Sequence, residues 1–338
     1  MYTGGLENHP YLVDRISRKH PLMGNPGNVL RQTYNPFLIR DILADQSLPF
    51  PETSRIPPTT TTEKWLRKPY RSTGGHGIAS LSLQDNSTIF KNSSPNKDIY
   101  FQRFLDGPCY SATFLASDDT CDLLGVTRQL AGKQFTNGPS FGYCGSIGPI
   151  GLSSEQKSTL DRISQALTAT IPLRGLFGLD FIWHANQIWT LEINPRFPAS
   201  VEILELAFGL SATGLHCQAF LDPKHLSVQP TATSLQYGKA IIYARESCTI
   251  TTDNFQHWVT HNASKRSTNG DPCSWFGDIP MPGTRISVGN PVLTVVAQAG
   301  TSQRVLRQLI RTGRQVHQNC HSPCSQEPIE TTKQAKTL

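Results

Sequence analysis

The sequence predicts a globular protein of mixed α/β or α+β class, built of two or three subdomains. Three observations support this. The 338 residues exceed a typical single domain. Hydrophobic residues make up 37% and charged residues 17%, with 26 Gly and 24 Pro, which fits a loop-rich globular chain rather than a disordered or fibrous one. Helix-period and strand-period segments alternate along the chain, interrupted by Pro/Thr-rich stretches.

Taken in order, residues 1–50 read as a truncated α/β unit: a helix over 10–19, a short strand at 21–23 and a helix over 36–45. The beginning is abrupt, because a parallel-sheet unit opens with a full strand. The run Pro57-Pro58-Thr59-Thr60-Thr61-Thr62 stops regular structure and marks a linker. Over 64–90 a strand, a Gly-rich loop and another strand are expected, with further strands at 99–105, 111–116 and 123–130. A helix over 154–171 is the clearest element, since Ser153 and Gln156 make a capping box and Leu160, Ile163, Leu167 and Ile171 share one face. Strands at 177–183 and 187–193 read as a hairpin around His184-Ala185-Asn186, and helices follow at 201–208 and 212–220. After a Pro/Thr/Ser-rich stretch at 227–233, strands at 238–244 and 291–297 and a helix at 302–312 form a β-rich unit, and the polar tail past Arg314 is expected to be disordered.

The formal charge of +6 is spread thinly. Its one local cluster, Arg304 to Arg314, lies on a helical pattern without interleaved aromatics, which reads as a solvated face and not a nucleic-acid patch. No apolar stretch reaches 18 residues, and no basic-then-apolar leader opens the chain, so a cytoplasmic protein with no membrane partner is expected. Eight scattered cysteines read as reduced thiols, and the spacing of His317, Cys320, His321 and Cys324 matches no standard zinc site.

Two segments carry chemistry. In Lys68-Pro69-Tyr70-Arg71-Ser72-Thr73-Gly74-Gly75-His76-Gly77 a strand delivers a lysine to a glycine-rich loop, whose backbone N–H groups can approach phosphate oxygens. A Walker A loop is excluded, because no Gly-Lys-Ser/Thr opens a helix there. By itself the segment reads more readily as plain turn chemistry. The second segment pairs Gly178-Leu179-Asp180-Phe181 with Leu191-Glu192-Ile193-Asn194-Pro195-Arg196. On a strand Glu192 and Asn194 share a face, and hairpin pairing sets Asp180 across from them to within about one residue. Two carboxylates and an amide oxygen among apolar neighbours call for a cation, and Mg²⁺ suits hard oxygen ligands. Arg196 can reach phosphates bound there. The competing structural reading is a salt bridge from Arg196 to Asp180 or Glu192.

Together, Lys-Pro with a Gly-rich loop, a Gln-containing strand and Leu-Glu-Ile-Asn-Pro-Arg resemble the ATP-grasp superfamily over about 48–220. The resemblance implies two α+β subdomains clasping ATP and Mg²⁺ (or Mn²⁺). Lys68 would contact the phosphates or the adenine edge, Gly74, Gly75, His76 and Gly77 would form a lid, and Gln102 and Phe104 would lie beside adenine. Asp180, Glu192 and Asn194 would hold metal, with Arg196 on the phosphates. The later segments around 209–211 and 278–295 are similar to the carbamoyl-phosphate-synthase and biotin-carboxylase branch, and to carboligases of cofactor synthesis such as tyramine-glutamate ligase. Arg103 stands where many members carry an acidic residue, leaving ribose recognition to another group such as Asp106.

The expected divisions are residues 1–50, the remnant of a preceding domain; 51–107, the small subdomain with the lid; 108–226, the large subdomain with the metal site; 227–313, a C-terminal β-rich unit; and 314–338, the tail. The implied activity is ATP-dependent joining of small-molecule carboxylate and amine substrates, with a homodimer as an allowed assembly. A bicarbonate-using carboxylase and a nucleotide-binding protein without turnover are the alternatives. Arg128, Gln129 and Tyr143 are candidates to face the acceptor, and Glu7 and Glu202 to bind an amine.

Overall fold

The computed structural model describes residues 1–58, 63–81, 98–223, 228, 233–262 and 271–320. A 3-10 turn at Leu6–Asn8 leads into helices α1 (Pro10–Ser17), α2 (Gly27–Thr33) and α3 (Pro36–Ala44). The Asn35 side-chain oxygen accepts from the N–H groups of Phe37 and Leu38, and Pro36 occupies the first helical position, so α3 starts where the sequence expects. No strand forms at 21–23; Leu22 packs instead among Tyr2, Val13 and Leu30. The unforeseen α2 is secured from outside itself, because Asp14 accepts from the Gly27 N–H at 2.9 Å and pairs with Arg31 at 3.1 Å.

Fourteen strands follow among the described residues. The first four are β1 (Thr53–Ser54), β2 (Trp65–Pro69), β3 (Ala79–Leu81) and β4 (Ile99–Arg103), and they form a small antiparallel sheet in the order β1-β4-β2-β3. Next come β5 (Cys109–Ala116), β6 (Cys121–Ala131), β7 (Tyr143–Gly148), β8 (Gly175–His184), β9 (Gln187–Asn194), β10 (Gln236–Tyr243), β11 (Cys248–Thr249), β12 (Cys273–Gly277), β13 (Arg285–Ile286) and β14 (Pro291–Ala299). Except for the separate pair β11-β13, these make one eight-stranded sheet in the order β12-β14-β10-β7-β6-β5-β8-β9. The expected continuation of β3 to residue 90, the segment 59–62 and most of 227–233 lie outside the described residues.

Alternation along β5 explains the layering. Ala112, Phe114 and Ala116 face α4 (Ser154–Thr170), where Leu160, Ile163, Leu167 and Ile171 are fully buried against Phe177 and Ile193. Each such buried leucine or phenylalanine stabilises the fold by about 1.5–3 kcal/mol. The capping box expected at Ser153 and Gln156 is present. Leu115 and its neighbours on the other face meet α5 (Val201–Phe208) and α6 (Ala212–Leu221). Beyond them, α7 (Thr252–Asn262) is anchored by the buried Trp258, and α8 (Ser302–Cys320) covers β10 and β14 with Val305, Leu309 and Val316. The last helix therefore continues past Thr312 and through the start of the expected tail, because its apolar face still has core to cover at Val316. Residues 321–338 lie outside the described set. The seven cysteines among the described residues are free thiols. Among the described residues no helix is long and apolar enough to cross a membrane.

Candidate active site

The small sheet, the large sheet and the N-terminal residues Thr3 and Gly4 enclose a cleft of about 470 Å³. Its floor follows from strand register, because residues directly opposite on antiparallel strands share a face. Glu192 of β9 lies opposite Asp180 of β8, which lies opposite Ser111 of β5. Further along, Gln129 of β6 is opposite Ser146 of β7, and Ser146 is opposite Lys239 of β10. A polar row thus crosses the sheet, acidic at one end and basic at the other.

At the acidic end the hairpin is as the sequence predicts. A bulge between Asp180 and Phe181 leaves Leu191 as the extra residue and keeps Asp180 across from Glu192, with Gly178 across from Asn194. Asp180 accepts hydrogen bonds from Asn194 Nδ2 at 3.2 Å and from Ser111 and Gln129. Burial and the facing Glu192 carboxylate push Asp180 up to about 7, more than these donors and Arg196 pull it down. Glu192 itself makes no hydrogen bond or ion pair among the described residues. Two facing carboxylates without a side-chain cation between them suit a divalent ion completed by phosphate and water. The described residues hold no cluster of three or more His, Cys, Asp or Glu, so an all-protein cage is absent from them. As a ligand Asn194 would present Oδ1, which here accepts from Arg196 at 3.2 Å.

Arg196 lines the cleft and departs from the salt bridge to Asp180 or Glu192 that the sequence offered. Its Nε donates to Glu7 of the N-terminal turn at 2.6 Å, and both side chains are buried. Glu7 is thus an anchor for the arginine rather than a free amine binder, and its second oxygen is buried without a partner among the described residues. Thr73 of the glycine loop also donates to Glu7, at 3.3 Å, and receives a hydrogen bond from Asn8 at 2.9 Å.

On the small-sheet side Lys68 is buried, with Nζ donating to Gln102 Oε1 at 3.1 Å. Burial alone would lower the ammonium, but Tyr100 and the Glu192 and Asp180 carboxylates outweigh it and hold it raised. Gln102 Nε2 is buried, lines the cleft and has no partner among the described residues, which leaves a donor unspent. Phe104 also lines the cleft, although its backbone N–H is spent on Lys64.

The glycine loop joins β2 to β3 and lies over the cleft, with Tyr143 N–H donating to Gly74 O at 3.1 Å. Gly75 has φ +81°, and a Cβ there would meet Phe141 O at 2.1 Å, so only glycine fits. Gly74 and Gly75 border the cleft; His76 and Gly77, both exposed, do not. Exposed Asp106 does not border it either, whereas Arg103 does and pairs with Glu63 at 3.0 Å.

At the basic end the structure adds a residue that sequence reasoning missed. Lys239 is 9% exposed, and its Nζ donates to Glu202 at 2.6 Å. Gln129 and Tyr143 line this end as anticipated, with the Tyr143 hydroxyl 2.9 Å from Ser146 Oγ. Arg128 points to the exposed face.

Two α+β lobes closing on a cleft, with a glycine flap and lysine on one side and an acidic hairpin on the other, define the ATP-grasp fold. Residues 35–200 match the family model of the ATP-grasp domain. It is 24% identical over 288 residues to an uncharacterised protein of Methanocaldococcus jannaschii, covering 82% of this chain and 64% of that protein. To the carbamoyl phosphate synthase large chain of a Thermoanaerobacter species it is 26% identical over 165 residues, covering 47% of this chain and 15% of that one. The chain therefore spans less than two thirds of the length of both relatives. Among solved structures, L-amino acid ligase from Bacillus licheniformis superposes with a TM-score of 0.68 at 14% identity, covering 90% of this chain and 76% of that one. N5-carboxyaminoimidazole ribonucleotide synthetase from Thermotoga maritima gives 0.63 at 11% identity, covering 91% and 79%. These likenesses establish the shared fold.

Proposed function

We propose that the protein is an ADP-forming, Mg²⁺-dependent ligase that activates a small-molecule carboxylate as an acyl phosphate and passes it to an amine. One observation carries the reading: the facing Asp180 and Glu192 carboxylates and the buried Lys68–Gln102 pair line the same cleft beneath the glycine flap. Lys68 would meet the phosphates, Gln102 and Phe104 the base, and Gly74 and Gly75 would cover them. Asp180, Glu192 and Asn194 would hold one or two Mg²⁺ or Mn²⁺ ions, and Arg196 would face the transferring phosphoryl group. ATP would supply that group, and the metal held by Asp180, Glu192 and Asn194 would supply positive charge to it. The chain's own task is orientation and exclusion of water. Carbamoyl phosphate synthase and L-amino acid ligase, both similar to this chain, bear names that fit ATP-driven bond formation.

The test is ADP release from Mg·ATP across a panel of carboxylates, with and without amines. Release that needs both a carboxylate and an amine is the expected result. Bicarbonate-dependent release without any amine redirects the reading to a carboxylase. ATP binding with no ADP released across the panel makes this a nucleotide-binding protein without turnover.

A further inference from the structure

Lys239 has no place in the nucleotide or metal arrangement, yet it occupies the cleft floor. It stands four strands from Asp180, roughly 19 Å by inter-strand spacing. Even-numbered residues of β10 such as Gly238 and Ile242 face α8, and the alternation turns Lys239 to the opposite, cleft side. An ammonium has three donors, and among the described residues Lys239 makes one hydrogen bond, to Glu202. Glu202 is different: its side chain is 49% exposed, it lines the cleft, and that single bond is its only one among the described residues. A buried cation with donors to spare thus sits beside a carboxylate open to the cleft, with the hydroxyls of Tyr143 and Ser146 as neighbours.

A purely structural ion pair gains little from such placement. Burying an ammonium costs several kcal/mol, and its partner here stays half in solvent. Opposite charges side by side, each with unspent capacity, match a ligand that carries the reverse pair. We propose that the Lys239–Glu202 end of the cleft binds a free α-amino acid, its carboxylate on Lys239 and its ammonium on Glu202. This rests on the ligase reading and names its substrate class.

The test uses the full chain with Mg·ATP and the twenty L-amino acids, scored by ADP release, beside the same compounds as N-acetyl derivatives and as decarboxylated amines. The expected result is stimulation by one or a few free amino acids and loss of response to both classes of derivative. Lys239→Met and Glu202→Gln should each raise the KM for the responsive amino acid on the order of 100-fold and leave the KM for ATP within about twofold. In Lys239→Glu/Glu202→Lys the ion pair is re-formed with its polarity reversed, so melting temperature should recover while the amino-acid response does not. Equal responses to free and N-acetylated compounds, or single variants that change melting but no KM, would overturn the proposal and leave the ligase reading standing. Absence of Mg·ATP binding would instead overturn the ligase reading on which it rests.

Discussion

Asp180 and Glu192 face each other across one strand pairing, and the cost of that arrangement can be read by titration. Asp180 is raised from an ordinary 3.8 to about 7, so the fold favours its protonated form. The stability this contributes is full below the ordinary carboxylate range and is lost as pH rises toward about 7. Melting curves between pH 4 and pH 8 should show that decline, and Asp180→Asn should flatten it. With Mg²⁺ and a non-hydrolysable ATP analogue the sign reverses: the ionised form is the one that binds, so affinity should climb with pH and level off above about 7. Glu192→Gln should lower Mg-dependent ADP release at least about 100-fold and retain part of the nucleotide binding, measured by calorimetry. Full activity in that variant would remove Glu192 from the metal site.

The elements divide by how locally they are specified. The β8–β9 hairpin was legible because a period-two pattern and a short turn bring 180 and 192 together with nothing else required. The helix at Ser154–Thr170 was legible for the same reason, with its cap written beside it. Strand β7 was not: Tyr143-Cys144-Gly145-Ser146-Ile147-Gly148 reads as a turn, yet its glycines admit close neighbouring backbone. A Cβ at Gly145 would sit 2.0 Å from Lys239 O. With β7 hidden, the register that turns Lys239 into the cleft was hidden too, since it depends on pairings between residues about a hundred positions apart. Helix α7 had a signal that went unread, the reciprocal bonds between Thr251 and Asn254 at 3.0 and 3.1 Å. The flap offers a test at this scale. Gly75→Ala adds a methyl against Phe141 O in a left-handed backbone, which should cost about 1–3 kcal/mol locally. The expected outcome is faster proteolysis within the loop and a raised KM for ATP, with little change in global melting.

Across the whole molecule the contact between Glu7 and Arg196 joins residues 189 positions apart, and Thr73 of the flap meets the same carboxylate. Removing one partner strands the other, so Glu7→Ala should cost about 3–5 kcal/mol in urea unfolding, and Glu7→Gln less. The eight-stranded sheet has a separate consequence. Backbone ladders run without a break from β9 to β12, so the two extremities of the polar row are parts of one stiff plate. Whatever the glycine loop and the small sheet do, the span between Asp180 and Lys239 is set by this sheet. The plate behaves as a fixed gauge, and compounds of a homologous series, one methylene longer or shorter each time, would be sorted by reach before any difference in their chemistry is felt.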